Sequence, residues 1–419
     1  MALFNPLSNS FGLDIGDRTL KVVQMAKRGR SLKPYRLTAW GQIDIPEGIM
    51  DRGEVLDMSS AVRCVTELLG RTTGSLKGRG VVACLPEAKS FVKIVRVPKD
   101  LNEIEIKKTL AKEIEQNIPL KIDEIYYDWQ KIDAAKPAPP VPAEPPAAAE
   151  AGSQPAEAPA EAGEPAASEP AEAPAEETEA EEENTAALEA EADDNSQRLL
   201  LAAAPKNLID DYTQILEMAG LAPIAFEIEA VAIARSIVPV DESLTEAVGI
   251  LDIGATRSSL VIYDGGALQM SISIPISGIE LTKIIADQLH ISQNDAELVK
   301  IECGLDAHRC EDRMWNILLP IIDDMCAKIR NAVRFYKIGF PLGKKIERLY
   351  LCGGGAHFRE IDSVLSRKLT IKVRRGDALI NVQRPKQFPE DRSLTFATAI
   401  GLAMRAADES DKYRGTFSF

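Results

Sequence analysis

The chain has 419 residues, 45% of them hydrophobic and 27% charged, with a formal net charge of −15. That length exceeds one ordinary core, so two or more domains are expected. No apolar run approaches the ~18 residues of a membrane helix, and residues 1–10 lack a basic stretch followed by an apolar one, so neither a membrane span nor a secretory leader is expected and the cytoplasm is the default compartment.

In chain order, the first clear unit is FGLDIGDRTLKVVQM at 11–25, which reads as strand, tight turn, strand. Residues 101–117 read as an amphipathic helix with Asn102 as cap, Ile104, Leu110 and Ile114 on its apolar face, and Pro119 ending it. A strand at 126–132 and another at 198–203 flank a low-complexity segment. Residues 136–195 hold 11 of the 25 prolines and no aromatic residue, and residues 134–195 carry 17 acidic side chains against one Lys. Without that segment the chain is nearly neutral. Such a composition cannot offset its ordering entropy by burial, so a disordered acidic loop interrupting a folded unit is expected. Residues 207–219 read as a helix closed by Gly220. GILDIGATRSSLVIY at 249–263 then repeats the first hairpin. RLYLCGGGA at 348–356 is a strand running into three glycines, with a helix expected over 357–369. The six cysteines form no C-x-x-C pair and there are three histidines, so buried, reduced thiols are expected rather than a zinc site.

In each hairpin an aspartate, Asp14 or Asp252, ends a buried run and is followed by Ile-Gly. Gly16 and Gly254 allow the backbone to turn so that amide N–H groups of Asp17, Arg18 and Thr19, and of Ala255, Thr256 and Arg257, face one concavity. A single hairpin of this kind is ordinary; two facing copies would clamp a polyphosphate. Asp14 and Asp252 would sit near a Mg²⁺, partly through water, consistent with magnesium's preference for a few carboxylates plus phosphate oxygens. Lys21, on the same strand face as Thr19, would reach a phosphate as a point charge. Gly353, Gly354 and Gly355 would let a flat base approach the backbone. Neither a P-loop nor a strand-linked G-x-G-x-x-G occurs.

These three elements, in this order, resemble the two phosphate loops and adenosine loop of the actin, hexokinase and FtsA superfamily, and the chain is most similar within it to the PilM family of type IV pilus assembly proteins. The likeness extends to KEIEQNIPLKIDEIYYDW (112–129), the stretch ending AGLAP at 219–223, EAVAIAR (229–235), AELVK (296–300) and FATAIGLAMR (396–405). It implies an α/β actin-like ATPase fold of two ribonuclease-H-like lobes with a small α+β subdomain in the first. On that plan residues 1–85, 205–247 and 395–419 form the first lobe, 86–204 the inserted subdomain carrying the acidic loop 134–195, and 248–394 the second lobe. The resemblance also implies ATP with Mg and Glu297 and Lys300 near the nucleoside. Its implied setting is the cytoplasmic face of the inner membrane, with the N-terminal peptide of PilN seated between the subdomain and its lobe and, through PilN, PilO and the pilus platform. Membrane contact would then be indirect, and no nucleic acid is expected.

Two departures bear on chemistry. Asp17-Arg18 stand where the family usually has small hydroxyl residues, placing an extra carboxylate beside the phosphates, and Ser277-Gly278 replaces a common Gly-Gly pair. Glu227 and Glu229 are the candidates by position for orienting an attacking water. Binding is expected more firmly than hydrolysis. The competing readings are an FtsA-like division tether, disfavoured because residues 408–419 lack a basic amphipathic face, and a metabolite kinase of the same superfamily, disfavoured because no substrate D-x-x-R motif follows the first hairpin.

Overall fold

The computed structural model describes residues 9–27, 33–132, 195–239, 246–340, 343–384 and 387–412; the acidic segment, apart from Asn195, and the chain ends lie outside them. The first hairpin forms as its pattern requires. β1 (Phe11–Ile15) pairs antiparallel with β2 (Thr19–Lys27), placing Asp14 opposite Lys21, and β2 continues into β3 (Tyr35–Asp44). A two-rung ribbon of β4 (Met50–Asp51) and β5 (Glu54–Val55) leads to α1 (Met58–Gly70), capped by the Asp57 carboxylate accepting from the Ser60 amide. After the short β6 (Thr73–Gly74), β7 (Gly80–Leu85) runs parallel to β1 with every residue buried, as expected of a central parallel strand.

The chain then leaves this sheet. β8 (Phe91–Pro98), α2 (Glu103–Asn117), β9 (Ile125–Ile132) and β10 (Ser196–Pro205) make a separate antiparallel sheet, order β8-β10-β9, with α2 packed on it. α2 begins at the expected cap: Asn102 accepts from the Ile104 and Glu105 amides, and Glu105 accepts from the Asn102 amide in return. Its buried stripe is Ile106, Leu110 and Ile114; Ile104, expected on that face, is 67% exposed. The stripe repeats every four residues, and a residue two positions before its start points about 200° away from it.

α3 (Lys206–Met218) and β11 (Ala222–Ile228) return to the first sheet, followed by α4 (Glu229–Ile237). Gly220, at φ +78°, sits where α3 stops. The second half repeats the plan with β12 (Ala247–Ile253), β13 (Ser258–Asp264), β14 (Ala267–Ile274), α5 (Gly278–Leu289), α6 (Gln293–Cys303), α7 (Arg313–Gly339), β15 (Ile346–Cys352), α8 (Ile361–Leu369) and β16 (Lys372–Arg375). Its sheet order, β14-β13-β12-β15-β16, matches β3-β2-β1-β7-β11 strand for strand, an antiparallel meander followed by two parallel strands.

The chain then returns to its starting sheet. β17 (Val382–Gln383) pairs with β3 at Tyr35 and Arg36, so this piece of the stretch expected in the second lobe sits on the edge of the first sheet. α9 (Ala397–Lys412) lies against β1, β2 and α4. The approach is close enough that a Cβ on Gly12 would fall 2.5 Å from the Ala403 nitrogen. Opposite α9, α1 and α3 bury Leu13, Val22, Leu68, Tyr212 and Ile215 against the other face. Burying one such side chain stabilises by roughly 1.5–3 kcal/mol.

Two expectations fail locally. The turn after the three glycines is a 3₁₀ segment, Gly354–His357, and α8 begins only at Ile361. Cys303 and Cys310 form a disulfide instead of remaining free, while Cys64, Cys84, Cys326 and Cys352 are free and buried. Sequence spacing alone does not report that α6 ends with Cys303 facing a loop that folds back on it.

Candidate functional site

The two hairpins and the ends of β7, β11, β12 and β15 converge on one cleft. In the first hairpin the Gly16 amide donates to the Thr19 carbonyl at 3.1 Å, closing the turn. Lys21 Nζ donates to Thr19 Oγ1 at 2.7 Å and lies 3.4 Å from Asp14 Oδ2, so the three expected residues meet. In the second hairpin the Gly254 amide donates to the Arg257 carbonyl at 2.9 Å, and a Cβ on Gly254 would crowd that oxygen. Asp252 accepts a 3.5 Å contact from the Cys352 thiol on the neighbouring parallel strand.

Gly278, Glu297 and Lys300 are tied to the second hairpin. The Gly278 amide donates to the Gly254 carbonyl at 3.0 Å and the Ile279 amide to that of Ala255 at 2.9 Å. Lys300 Nζ then bonds Gly278 O at 2.9 Å, Thr282 Oγ1 at 2.8 Å and Glu297 Oε2 at 2.7 Å, binding α6 to the N-terminus of α5. The three glycines differ in kind. A Cβ at Gly353, with φ +76°, would overlap Asp252 Oδ1, and one at Gly355 would overlap Ile253. Gly354 faces open space, which is where a planar group can lie on the backbone.

Acidic groups outnumber cations at the cleft floor. Asp14, Cys84 and Glu229 bring their donor atoms within 4.8 Å of one another. Glu229, in the first turn of α4, lies 3.4 Å from Arg257 Nη2. Burial, then the nearby Asp252 and Asp14 charges, push Glu229 up to about 8 against the pull of Arg257. Burial also raises Asp252 to about 6, with the Cys352 thiol and Lys21 opposing it. Burial beside Glu229 and Asp14 drives the Cys84 thiol well upward. A divalent cation fits this donor set, since it would restore the ionised forms that burial suppresses. For an anion the fit rests on Arg257 Nη1, which is buried and has no hydrogen-bond partner among the described residues.

Three expected residues are engaged by other protein groups. Arg18 turns outward to Glu47. Asp17, expected to face the phosphates, is 8% exposed and held on both oxygens: Oδ1 accepts from the Gly53 amide at 2.7 Å and Oδ2 from Thr256 Oγ1 at 2.6 Å. Glu227 does not join Glu229. It accepts from Arg235 at 2.5 and 2.6 Å and lies 3.3 Å from Arg405, and although burial alone would raise it, these guanidiniums hold it below the usual carboxylate range. A side chain two residues before a helix start need not share its side of the wall. Sequence reasoning missed Cys84 and Glu87. Cys84, the penultimate residue of the fully buried β7, lies beside Asp14, a position readable from the parallel pairing of β1 and β7 once the strands are placed. Glu87, largely buried, accepts from Ser271 of β14.

A groove with a cavity volume of about 100 Å³ lies between the inserted sheet and the first lobe. Val92, Tyr126, Trp129 and Leu200 form one wall and Leu85, Phe226, Ile228 and Val231 the other, with Asp128, Glu227 and Arg405 as its charged groups. Burial pushes Asp128 upward. Leu85 and Ile228 of this groove are chain neighbours of Cys84 and Glu229 of the cleft, so the two spaces share a wall one residue thick.

The family model described as type IV pilus assembly protein PilM matches residues 12–143 and 184–407. The chain belongs to that family. The unmatched gap falls within the acidic Pro-Ala-Glu segment. Among solved structures, one titled PilM-PilN type IV pilus biogenesis complex is similar at 22% identity with a TM-score of 0.70, covering 95% of this chain and 98% of the other. The ethanolamine utilization protein EutJ of Carboxydothermus hydrogenoformans (13% identity, TM-score 0.48, 94% of this chain and 88% of the other) and MreB5 of Spiroplasma citri bound to ADP (13%, 0.45, 96% and 97%) are more distant. The 0.70 match and the family model show that the fold is the one of this pilus assembly family. Among the described residues no helix is long and apolar enough to cross a membrane.

Proposed function

We propose that the chain is a cytoplasmic, nucleotide-binding scaffold of the type IV pilus inner-membrane platform, and that the nucleotide state of its cleft controls a peptide groove on its first lobe. The wall shared by the two spaces carries the reading. Cys84 and Glu229 face the cleft while Leu85 and Ile228 line the groove. A shift of either segment when phosphate and cation enter changes the groove's width, which is differential binding expressed through one pair of strands.

In the cleft, Lys21, Arg257 and the hairpin amides would hold a polyphosphate, Asp14, Asp252 and Glu229 a magnesium ion, partly through water, and Gly354, Glu297 and Lys300 the nucleoside. The bound cation would supply charge neutralisation between carboxylates and phosphates. Glu229, pushed up to about 8, is mostly protonated at neutral pH before a cation enters, which suits holding a nucleotide better than activating water. The groove suits an extended apolar segment with a basic residue facing Asp128, and its occupant in this reading is the cytoplasmic N-terminal peptide of PilN, a membrane-anchored partner that would hold the chain at the membrane and connect it to PilO. Titration of that peptide onto the protein with and without Mg-ATP tests the proposal. A change in peptide affinity on adding nucleotide supports gating; equal affinities overturn the gating, and absence of peptide binding overturns the scaffold reading.

A further inference from the structure

Asp17 is a carboxylate of the cleft that joins its two hairpins. Its Oδ1 takes the Gly53 amide at 2.7 Å and its Oδ2 the Thr256 hydroxyl at 2.6 Å, so it bridges the turn of the first hairpin to the turn of the second. Gly53 is fixed in turn, at φ +81°, with its carbonyl accepting from the buried Tyr212 hydroxyl at 3.1 Å. The anchoring side of the bridge is therefore rigid, and the yielding side is Thr256. A backbone amide and a threonine hydroxyl are the donors that a phosphate oxygen takes at a tight glycine turn. Thr256 flanks Arg257, whose Nη1 is buried with no hydrogen-bond partner among the described residues.

The geometry points to Asp17 as a built-in competitor of the nucleotide: its carboxylate holds Thr256 in place of a phosphate oxygen, latching the lobes together without ligand, and an incoming polyphosphate must take Thr256 from it. This rests on the nucleotide reading above and adds the residue that sets its affinity. The latch opposes binding twice, through the Thr256 hydrogen bond that must be exchanged and through like-charge repulsion at short range in a partly desolvated site. It also explains why an acidic side chain is tolerated between the two turns: its charge is engaged by the Gly53 amide and the Thr256 hydroxyl.

The test compares Mg-ATP and Mg-ADP affinity for the full chain, Asp17→Ser and Asp17→Asn, together with the thermal midpoint of each without nucleotide. The latch predicts opposite movements: Asp17→Ser lowers the nucleotide-free midpoint yet tightens Mg-ATP by about tenfold or more. Asp17→Asn keeps an acceptor for Thr256 but loses the charge, so its affinity falls between the two. A residue with a merely structural role would weaken both properties together. Unchanged or weaker nucleotide binding in both variants, with the native chain binding measurably, overturns the latch alone. Binding by the variants but not by the native chain supports it. No binding by any of the three overturns the nucleotide reading and the latch with it.

Discussion

The raised titration of Glu229 yields a pH dependence that can be worked from the structure. Its carboxyl goes from an ordinary 4.5 to about 8 in the fold, so the folded state binds the proton more tightly than the unfolded one. Stability from this group is then full below about pH 4.5 and is lost as pH rises through 8. Asp252, raised from 3.8 to about 6, is still losing its own contribution around pH 6, so Glu229 is isolated by comparison with a variant that keeps Asp252. Two pH units at roughly 1.4 kcal/mol each give about 3 kcal/mol lost between pH 6 and pH 9 in the metal-free protein. Glu229→Gln cannot ionise and should lack this slope. Denaturation of both proteins at pH 6 and pH 9, in chelator and at fixed salt, should show the native chain falling relative to the variant by that amount, with histidine contributions cancelling in the comparison. Parallel pH dependences in the two proteins would refute the argument that burial among Asp14 and Asp252 holds Glu229 protonated.

Glu227→Ala should destabilise the fold by about 3–5 kcal/mol, because Arg235 and Arg405 are left without their shared carboxylate, and a chemical denaturation midpoint reads the loss directly. The glycines after β15 should separate by role: Gly353→Ala should cost about 1–3 kcal/mol in the same assay through its positive φ and the clash with Asp252, whereas Gly354→Ala should leave stability within about 0.5 kcal/mol and weaken nucleotide binding instead. Lys300→Met removes two hydrogen bonds joining α6 to α5 and one to Glu297 within α6, and should weaken adenine nucleotide binding about tenfold while leaving the PilN peptide affinity without nucleotide unchanged, as calorimetric titrations of each ligand would show.

What the sequence made legible was local. The D-I-G repeat, the Asn102 cap, the Gly220 stop and the glycines at 353–355 are short-range signals with a physical cause in a few adjacent residues. Lys21 reached Thr19 because strand periodicity alone places them together. The misplaced residues depend on distant ones. Asp17 is decided by Gly53 and by Thr256, 239 positions away, and Glu227 by Arg235 and Arg405, none of which a turn or strand pattern announces. Ile104 gave way to Ile106 because the subdomain's sheet, not the helix, chooses which stripe is covered.

The return of the chain to its first sheet has a consequence for how the protein is made. β1 and β2 emerge first, yet the face they bury against α9 has no cover until residues near 400 are synthesised, and Tyr35 waits for Asp408, which it meets at 2.7 Å. The inserted sheet and the second lobe are each closed by nearer neighbours. A ribosome moving at about 5–20 residues per second therefore leaves an apolar first-lobe face exposed for tens of seconds. Folding of that lobe is the last step, and loss of α9 by early termination would release a chain with a finished second lobe and an unfinished first.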